Sequence, residues 1–490
     1  MIKLYNGYYK PDDTKGILNE EDLLPYIAYL DTNNNISGVM FDSVAFVPCH
    51  GDYPSGGRLV KTNGKSGAVM SDWELYFDYT FRDGQDLNAL DSVVGRVYSE
   101  LGLKDKYPVF LTIPYPTVID KPFGDIDGDG LDEYCKTLEE RVAIVKWFVD
   151  KYIKAFKDSG FENIELAGFY WLREEINYSD SDHEDLLAIE VNKYIKQKKL
   201  DIIFDAFYLS IGFDHWADLG FSGAVMQPNV AFSDVYTYFE LGMLEEFAKS
   251  VYDNNLGVEM ETNEPSYFRG DDYLKAGYNY ESYLYYGKKT GYMNSFKTYY
   301  QGAGPGSFYD FCYADITTPR GIYLRRLYDL TYAFIHGTYK NEAPIVSVSD
   351  IELVSGDSRA MADISITDSD SYWGDITVEF VEEPKNGIVT VAGSKKTLVY
   401  RADDGFVGND SFVIRVSDGF NVSEELTVNV SVSAPYIDES TPNESSDNSI
   451  DDTQNQEAVP LWLIIVLGVM LAAIVGVAVT MALKRKYSKS

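Results

Sequence analysis

Short apolar runs of strand character alternate with segments of helical period through residues 1–340. The runs are Ile2 to Tyr8, Gly38 to Val47, Pro108 to Ile113, Ile164 to Trp171, Asp201 to Tyr208, Gly223 to Gln227, Gly257 to Glu261 and Ser295 to Tyr300. Between them Leu87, Leu90, Val94, Val97 and Leu101 recur at spacings of three and four. So do Leu138, Val142, Val145, Phe148 and Tyr152, and two further helices are marked by Leu241, Leu244 and Phe247 and by Ile322 to Ile335. A chain that repeats strand and helix eight times buries its strands by closing them into an α/β, (β/α)8 TIM-like barrel. The rival is an open doubly wound sheet, which wants a glycine-rich phosphate turn after an early strand, and no GxGxxG is present.

Two of the strands end in acids. GFYWLREE runs without charge from Leu166 to Leu172 and then presents Arg173, Glu174 and Glu175 together. In GVEMET, Val258 and Met260 alternate with Glu259 and Glu261, so the period of two sends both acids to one face. Carboxylates at the C-terminal ends of barrel strands are placed for glycosidic cleavage, in which one acid protonates the leaving oxygen and one carboxylate attacks or activates water. The expected pair is Glu174 as general acid/base, its pKa raised by the apolar setting of Trp171 and Leu172, and Glu261 as nucleophile. Glu259 and Glu175 are the alternates, and Arg173 can pair with one of the acids. Asp42, Asp205, Gln227, Asn229 and Tyr300 end other strands and are expected to bind sugar hydroxyls. Tyr115, Tyr170 and Trp171 are the expected stacking surfaces, since an aromatic ring covers a sugar face.

FLTIPYP at Phe110 to Pro116, GFYWLREE, MQPN at Met226 to Asn229, GVEMET and YYQG at Tyr299 to Gly302 resemble the domain of unknown function 4855 family over nearly all of residues 1–338. That resemblance implies a glycosidase-like barrel of surface and secreted bacterial proteins. The placement of acids after strands four and seven is also similar to a large clan of retaining glycosidases. There an asparagine usually precedes the acid/base, whereas here Arg173 precedes Glu174.

From 343 to 433 short alternating runs (ITVEFV, IVTVA, TLVYRA, SFVIRV, LTVNVSV) are separated by turn formers at Pro384 to Gly387, Asp403 to Gly405 and Asp418 to Gly419. They predict an all-β, antiparallel sandwich. PKNGIVTV followed by LVYRADDGFVGNDSFVIRVSDG resembles bacterial immunoglobulin-like and cadherin-like modules, which implies a spacer or adhesive role. Residues 434–459 are polar and acidic and read as a disordered stalk. Residues 461–483 carry no charge and are long enough to form a single transmembrane helix; Trp462 sits at its outer edge. The basic tail 484–490 then reads as cytoplasmic, with the N-terminal domains outside the cell. No apolar targeting segment follows Met1, so a mis-called start or a trimmed sequence is expected.

The formal net charge of -35 excludes a basic nucleic-acid-binding surface. Three cysteines, Cys49, Cys135 and Cys312, form no CxxC pair and indicate neither a zinc cluster nor a disulfide framework. Acids one, three and five of DIDGDGLDE, namely Asp125, Asp127 and Asp129, followed by Gly130, match the opening half of a calcium loop. Lys136 stands where the bidentate glutamate belongs, so Asp132 or Glu133 would substitute, and the ion expected is structural Ca2+; catalysis is expected to need no cofactor. The functional expectation is a membrane-anchored, cell-surface glycoside hydrolase-like protein acting on carbohydrate. The alternatives are a barrel that only binds carbohydrate and a surface adhesin.

Overall fold

The computed structural model describes residues 1–9, 16–62, 64–178, 183–232, 238–368, 376–392 and 397–435, with the backbone alone at 238–242. Eight parallel strands close a barrel: β1 (Ile2–Asn6), β2 (Val44–Pro48), β3 (Tyr107–Ile113), β4 (Ile164–Trp171), β5 (Asp201–Phe207), β6 (Gly223–Gln227), β7 (Gly257–Glu261) and β8 (Lys297–Tyr300). They pair in chain order, and β8 closes on β1 with Tyr299 opposite Ile2. Each expected run holds one of these strands. The second starts only at Val44, because Gly38 and Val39 belong to a hairpin of Ala28–Leu30 with Ile36–Val39.

Around the barrel lie α1 (Glu20–Ile27), α2 (Met70–Thr80), α3 (Asp86–Leu101), α4 (Leu138–Ser159), α5 (Glu184–Gln197), α6 (Tyr238–Asp253), α7 (Pro265–Arg269), α8 (Tyr273–Thr290), α9 (Ser307–Cys312) and α10 (Pro319–Ile335). The alternation lapses between β5 and β6, which are joined by loop and the 3-10 turn Phe213–His215. Gly212 and Gly220 there sit at φ of 90° and 86°, a left-handed backbone that cannot continue a helix. By contrast α4 is delimited as its sequence demands. Thr137 and Glu140 form a reciprocal capping box at its start, and Gly160 ends it at φ 66°.

Helix and strand meet through apolar faces. On α4, Val145, Phe148 and Tyr152 are fully buried, each such residue contributing about 1.5–3 kcal/mol of transfer free energy. The strands are covered on both sides, so they read as nearly continuous apolar runs. Gly168 shows how tightly they pack: a Cβ there would lie 2.3 Å from the Asp201 carbonyl oxygen on β5.

The C-terminal part of the described chain forms two four-stranded sheets from β9 (Ile345–Val348), β10 (Ile351–Val354), β11 (Ala360–Thr367), β12 (Thr377–Glu382), β13 (Gly387–Val391), β14 (Thr397–Ala402), β15 (Gly408–Ser417) and β16 (Leu426–Ser433). Their orders are β9-β11-β14-β13 and β10-β16-β15-β12, and the core between them includes Ile364, Leu398, Tyr400, Phe412, Ile414 and Val430. One pairing departs from the expected antiparallel pattern. β10 runs parallel to β16, because the chain crosses from one sheet to the other within two residues of Val348 and does not fold back on β9.

The sandwich rests on α8. Phe420 stacks on Tyr278 (4.8 Å between centroids) and Tyr285 (4.7 Å), whose hydroxyls donate to the Gly419 and Phe420 carbonyls at 3.0 and 3.1 Å. Among the described residues no helix is long and apolar enough to cross a membrane. The expected transmembrane helix 461–483, the basic tail and all of the stalk beyond residue 435 lie outside the described residues.

Candidate active site

The inward side chains of β1 and β7 follow from alternation. Ile2, Leu4, Val258 and Met260 face the helices and are fully or almost fully buried, which leaves Lys3, Tyr5, Glu259 and Glu261 for the barrel interior. Lys3 places its Nζ 2.9 Å from Asp205 Oδ2 and in contact with Glu259 Oε1, and all three side chains are buried. Burial alone would lower the Lys3 pKa, but Asp205 and Glu259 outweigh it and hold the ammonium well above the ordinary lysine range. Glu259 is driven far upward, first by loss of hydration and then by Asp205, against the pull of Lys3. One cation thus faces two buried carboxyls, and Glu259 is the one whose ionisation is made harder. Asp205 is further held by the Tyr170 hydroxyl at 3.0 Å and the Gln227 amide at 3.3 Å.

Two residues closer to the rim, Glu261 is held by different groups. Its Oε2 accepts the Asn229 N–H at 2.7 Å and the Tyr283 hydroxyl at 2.6 Å. Asn229 sits at φ 61°, a region asparagine tolerates, and this turn after β6 aims its N–H across at β7. Burial pushes the Glu261 pKa up to about 7, while Tyr283, Asn229 and Lys3 pull the other way. A carboxylate that ionises near neutrality and is oriented by two donors fits a nucleophile or base.

Glu174 follows β4 and is exposed to solvent at the mouth. Its carbonyl accepts the Phe207 N–H at 3.3 Å and the Ser210 hydroxyl at 2.9 Å, tying this turn to the end of β5. Desolvation by the surrounding walls raises its pKa; Lys3 lowers it, Asp205 raises it, and the Gln227 side chain bonds to it. Lys3 and Asp205 act on both Glu174 and Glu261, so the two acids share one electrostatic field. Glu175 turns elsewhere and pairs with Arg173. Arg173 also lies 3.5 Å from Glu184, a fully buried carboxylate that accepts from the Tyr115 hydroxyl (2.6 Å), Lys61 (2.8 Å) and the Asn177 N–H (2.9 Å).

Several expected binding residues are displaced from the mouth. Asp42 precedes β2, so it lies on the opposite rim, where its 83% exposed side chain pairs with the Met1 ammonium. Asp205 lies two residues below the end of β5 and is wholly buried. Tyr115, Tyr170 and Trp171 do not offer stacking faces. Trp171 is 2% exposed between Tyr115 and Phe221, and the hydroxyls of Tyr170 and Tyr115 are committed to Asp205 and Glu184. Gln227, Asn229 and Tyr300 do reach the mouth. The open aromatic surface is formed instead by Phe207 (38% exposed), Phe232 (43%), Tyr5 and Tyr300. Tyr300 packs edge-on against both Phe232 and Tyr5, at 5.6 and 5.9 Å.

Lys3, Tyr5, Tyr283, Phe207 and Phe232 are the functional candidates that sequence reasoning missed. For Lys3 and Tyr5 a signal existed, since IKLYN alternates just as GVEMET does. Tyr283, one of 40 tyrosines, has none.

In the acidic loop, Asp125, Asp127 and Glu133 bring a carboxylate oxygen each to within 4.8 Å of one another. Asp129, of the expected ligand set, is not part of that convergence; its carboxylate accepts the Leu131 N–H at 2.8 Å.

A family profile described as a domain of unknown function (DUF4855) matches residues 1–307, and one described as a bacterial Ig domain matches 341–431. No curated protein sequence matches the chain. Among solved structures, the chain is similar to the chitinase ChiW from Paenibacillus sp. str. FPU-7, at 10% identity and a TM-score of 0.34, over 88% of this chain. It spans 42% of that chitinase's length. It is also similar to the endo-fucoidan hydrolase MfFcnA4 of glycoside hydrolase family 107 (10%, TM-score 0.32, 88% of this chain and 82% of that one). A third likeness is to the catalytic domain of a family GH18 chitinase from the fern Peteris ryukyuensis (11%, TM-score 0.31, 66% and 98%).

Proposed function

The chain belongs to the domain of unknown function 4855 family, and from that premise we propose that its barrel hydrolyses glycosidic bonds with Glu174 as general acid/base and Glu261 as nucleophile. The observation that carries this reading is the unequal treatment of two acids at one mouth. Glu261 is buried and held at Oε2 by Asn229 and Tyr283, while Glu174 stands open to solvent with its pKa raised. The buried oxygen pair suits attack on an anomeric carbon, since two fixed donors hold the carboxylate in one orientation. The open acid suits proton delivery to a leaving oxygen that arrives with the substrate. Gln227, bonded to both Asp205 and Glu174, sets the acid's position. Phe207, Phe232 and Tyr300 supply faces for sugar rings.

The surface location belongs to the same proposal. It rests on the charge-free run 461–483 and the basic tail after it. The sandwich then acts as a riser. Structural Ca2+ in the 125–133 loop is a further part, resting on the convergence of Asp125, Asp127 and Glu133. Calorimetry of the protein with Ca2+ and with EGTA tests that part, and an unchanged melting temperature removes it.

Incubation with a panel of neutral and charged glycans tests the reaction. The wild type is expected to release reducing ends from at least one glycan, and Glu174→Gln and Glu261→Gln to lose that release. Binding without turnover would favour a barrel that only binds carbohydrate. Adhesion that survives both substitutions and is lost on removing 343–433 would favour an adhesin.

A further inference from the structure

Beside the two acids, a cleft of about 400 Å3 opens between the ends of β1, β2 and β8, lined by Tyr5, Tyr9, His50, Glu264, Tyr300 and Ala303. It adjoins the site directly, because Tyr300 in its wall has its ring centroid 5.6 Å from the Lys3 Nζ that contacts Glu259. Its one carboxylate, Glu264, accepts the Tyr300 hydroxyl at 2.6 Å through Oε1. Its other oxygen lies against Gly302, where a Cβ would come within 2.4 Å of Oε2; only glycine leaves that space. The cleft's other walls include three rings: Tyr5 packs on Tyr300 at 5.9 Å and on His50 at 5.8 Å.

No cation among the described residues is left over to receive an anion here. Lys3 lies beneath the floor, 5.6 Å from the Tyr300 ring centroid, and is matched by Asp205 and Glu259. Arg173 is taken by Glu175 and Glu184, and Arg58, near His50, is paired with Asp52 at 2.6 Å. His50 is held below its ordinary pKa by burial, then by Lys3 and Arg58, against Glu264.

Resting on the hydrolase reading, we propose that this cleft is a subsite for a non-acidic sugar, with Glu264 the specificity-determining residue that turns uronic and sulfated sugars away. A uronate seated between Tyr5 and Tyr300 would bring a second carboxylate against Glu264, and among the described residues the nearby cations Lys3, Arg58 and Arg173 are already paired with other acids; like charges at such distances repel strongly where water is scarce. A neutral sugar, by contrast, donates hydroxyl hydrogens to a carboxylate and lays its ring face on the tyrosines.

The test measures binding of the full chain to hexamers of β-linked glucose, galactose, mannose and N-acetylglucosamine, the first three each beside a counterpart carboxylated at C6. The expected result is at least tenfold tighter binding of a neutral hexamer than of its carboxylated partner. That ratio should shrink toward one in Glu264→Gln and, for the wild type, with rising NaCl. Equal or tighter binding of the carboxylated partner, or a ratio insensitive to both salt and substitution, overturns the proposal. Absence of binding to every hexamer overturns it together with the hydrolase reading. Binding with the expected ratio but no turnover overturns the hydrolase reading alone.

Discussion

Tyr283 reaches Glu261 from a helix 22 positions further along the chain, and its hydroxyl is one of the two donors that keep this acid from being still harder to ionise. Tyr283→Phe removes that donor, so the Glu261 pKa should rise beyond about 7. The acidic limb of the pH–rate profile then moves to higher pH, with turnover lowered by about 10²-fold, in line with loss of one oriented donor. A profile that stays in place would detach Tyr283 from the chemistry. Lys3 poses a different question. Lys3→Met leaves Asp205 and Glu259 buried without their cation, a loss of roughly 3–5 kcal/mol by analogy with broken buried pairs. Urea titration reads that loss directly, and adding Asp205→Asn should recover part of it. At this scale the sequence was half legible. The alternation in GVEMET announced Glu259 and Glu261, but depth decides their fates: two residues along β7 separate an acid paired with Lys3 in the core from one at the mouth. Alternation says which face, not how far below the rim, and this is why Asp205 reads as a binding residue in sequence and as a buried partner of Lys3 in the structure.

The elements themselves were more legible than their joints. Eight strands and the helices α3, α4, α6 and α10 follow from period, because a barrel strand covered on both faces must be apolar and a covering helix must carry a stripe, whereas α5 and the tyrosine-rich α8 were not anticipated. The joints obey other constraints. The link after β5 is too rich in left-handed glycine to form a helix, and Ser349 with Asp350 is too short to return β10 beside β9. The contact between sandwich and barrel is likewise invisible in sequence. It depends on α8 presenting Tyr278 and Tyr285, seven residues apart on one face, to the turn at Asp418 to Phe420. Phe420→Ala removes both stacks. In calorimetry of residues 1–433 the sandwich should then melt separately from the barrel, whereas the wild type should show the two events closer together or merged. Identical traces for the two proteins would mean that the stacking does not couple them.

For the whole molecule, the buried acids make stability depend on pH in a direction opposite to that of ordinary surface carboxylates. Glu261 has an ordinary pKa of 4.5 when unfolded and about 7 when folded, so between those values the native state holds a proton that the unfolded chain has released. Stability must therefore fall as pH rises through that window, by on the order of 3 kcal/mol from this group. Glu174 and Glu259, also raised, act in the same sense. Guanidinium unfolding at pH 5 and pH 7.5 should show the decline, and Glu261→Gln should flatten it; a rise in stability over the same interval would contradict the burial of these charges. The order of barrel and sandwich along the chain was readable from composition and period. The balance of charge inside the barrel was not, since it depends on Lys3 meeting partners 202 and 256 residues away.

The division of labour between the two acids is tested most directly by comparing an oligosaccharide with a dinitrophenyl glycoside of the same sugar, because an activated leaving group departs without a proton. Glu261→Gln should lose both reactions by at least about 10³-fold, while Glu174→Gln should lose about 10²- to 10⁴-fold on the oligosaccharide yet keep most of its rate on the aryl glycoside. Equal losses on the two substrates for Glu174→Gln, or full activity in Glu261→Gln, would contradict the assignment of acid and nucleophile.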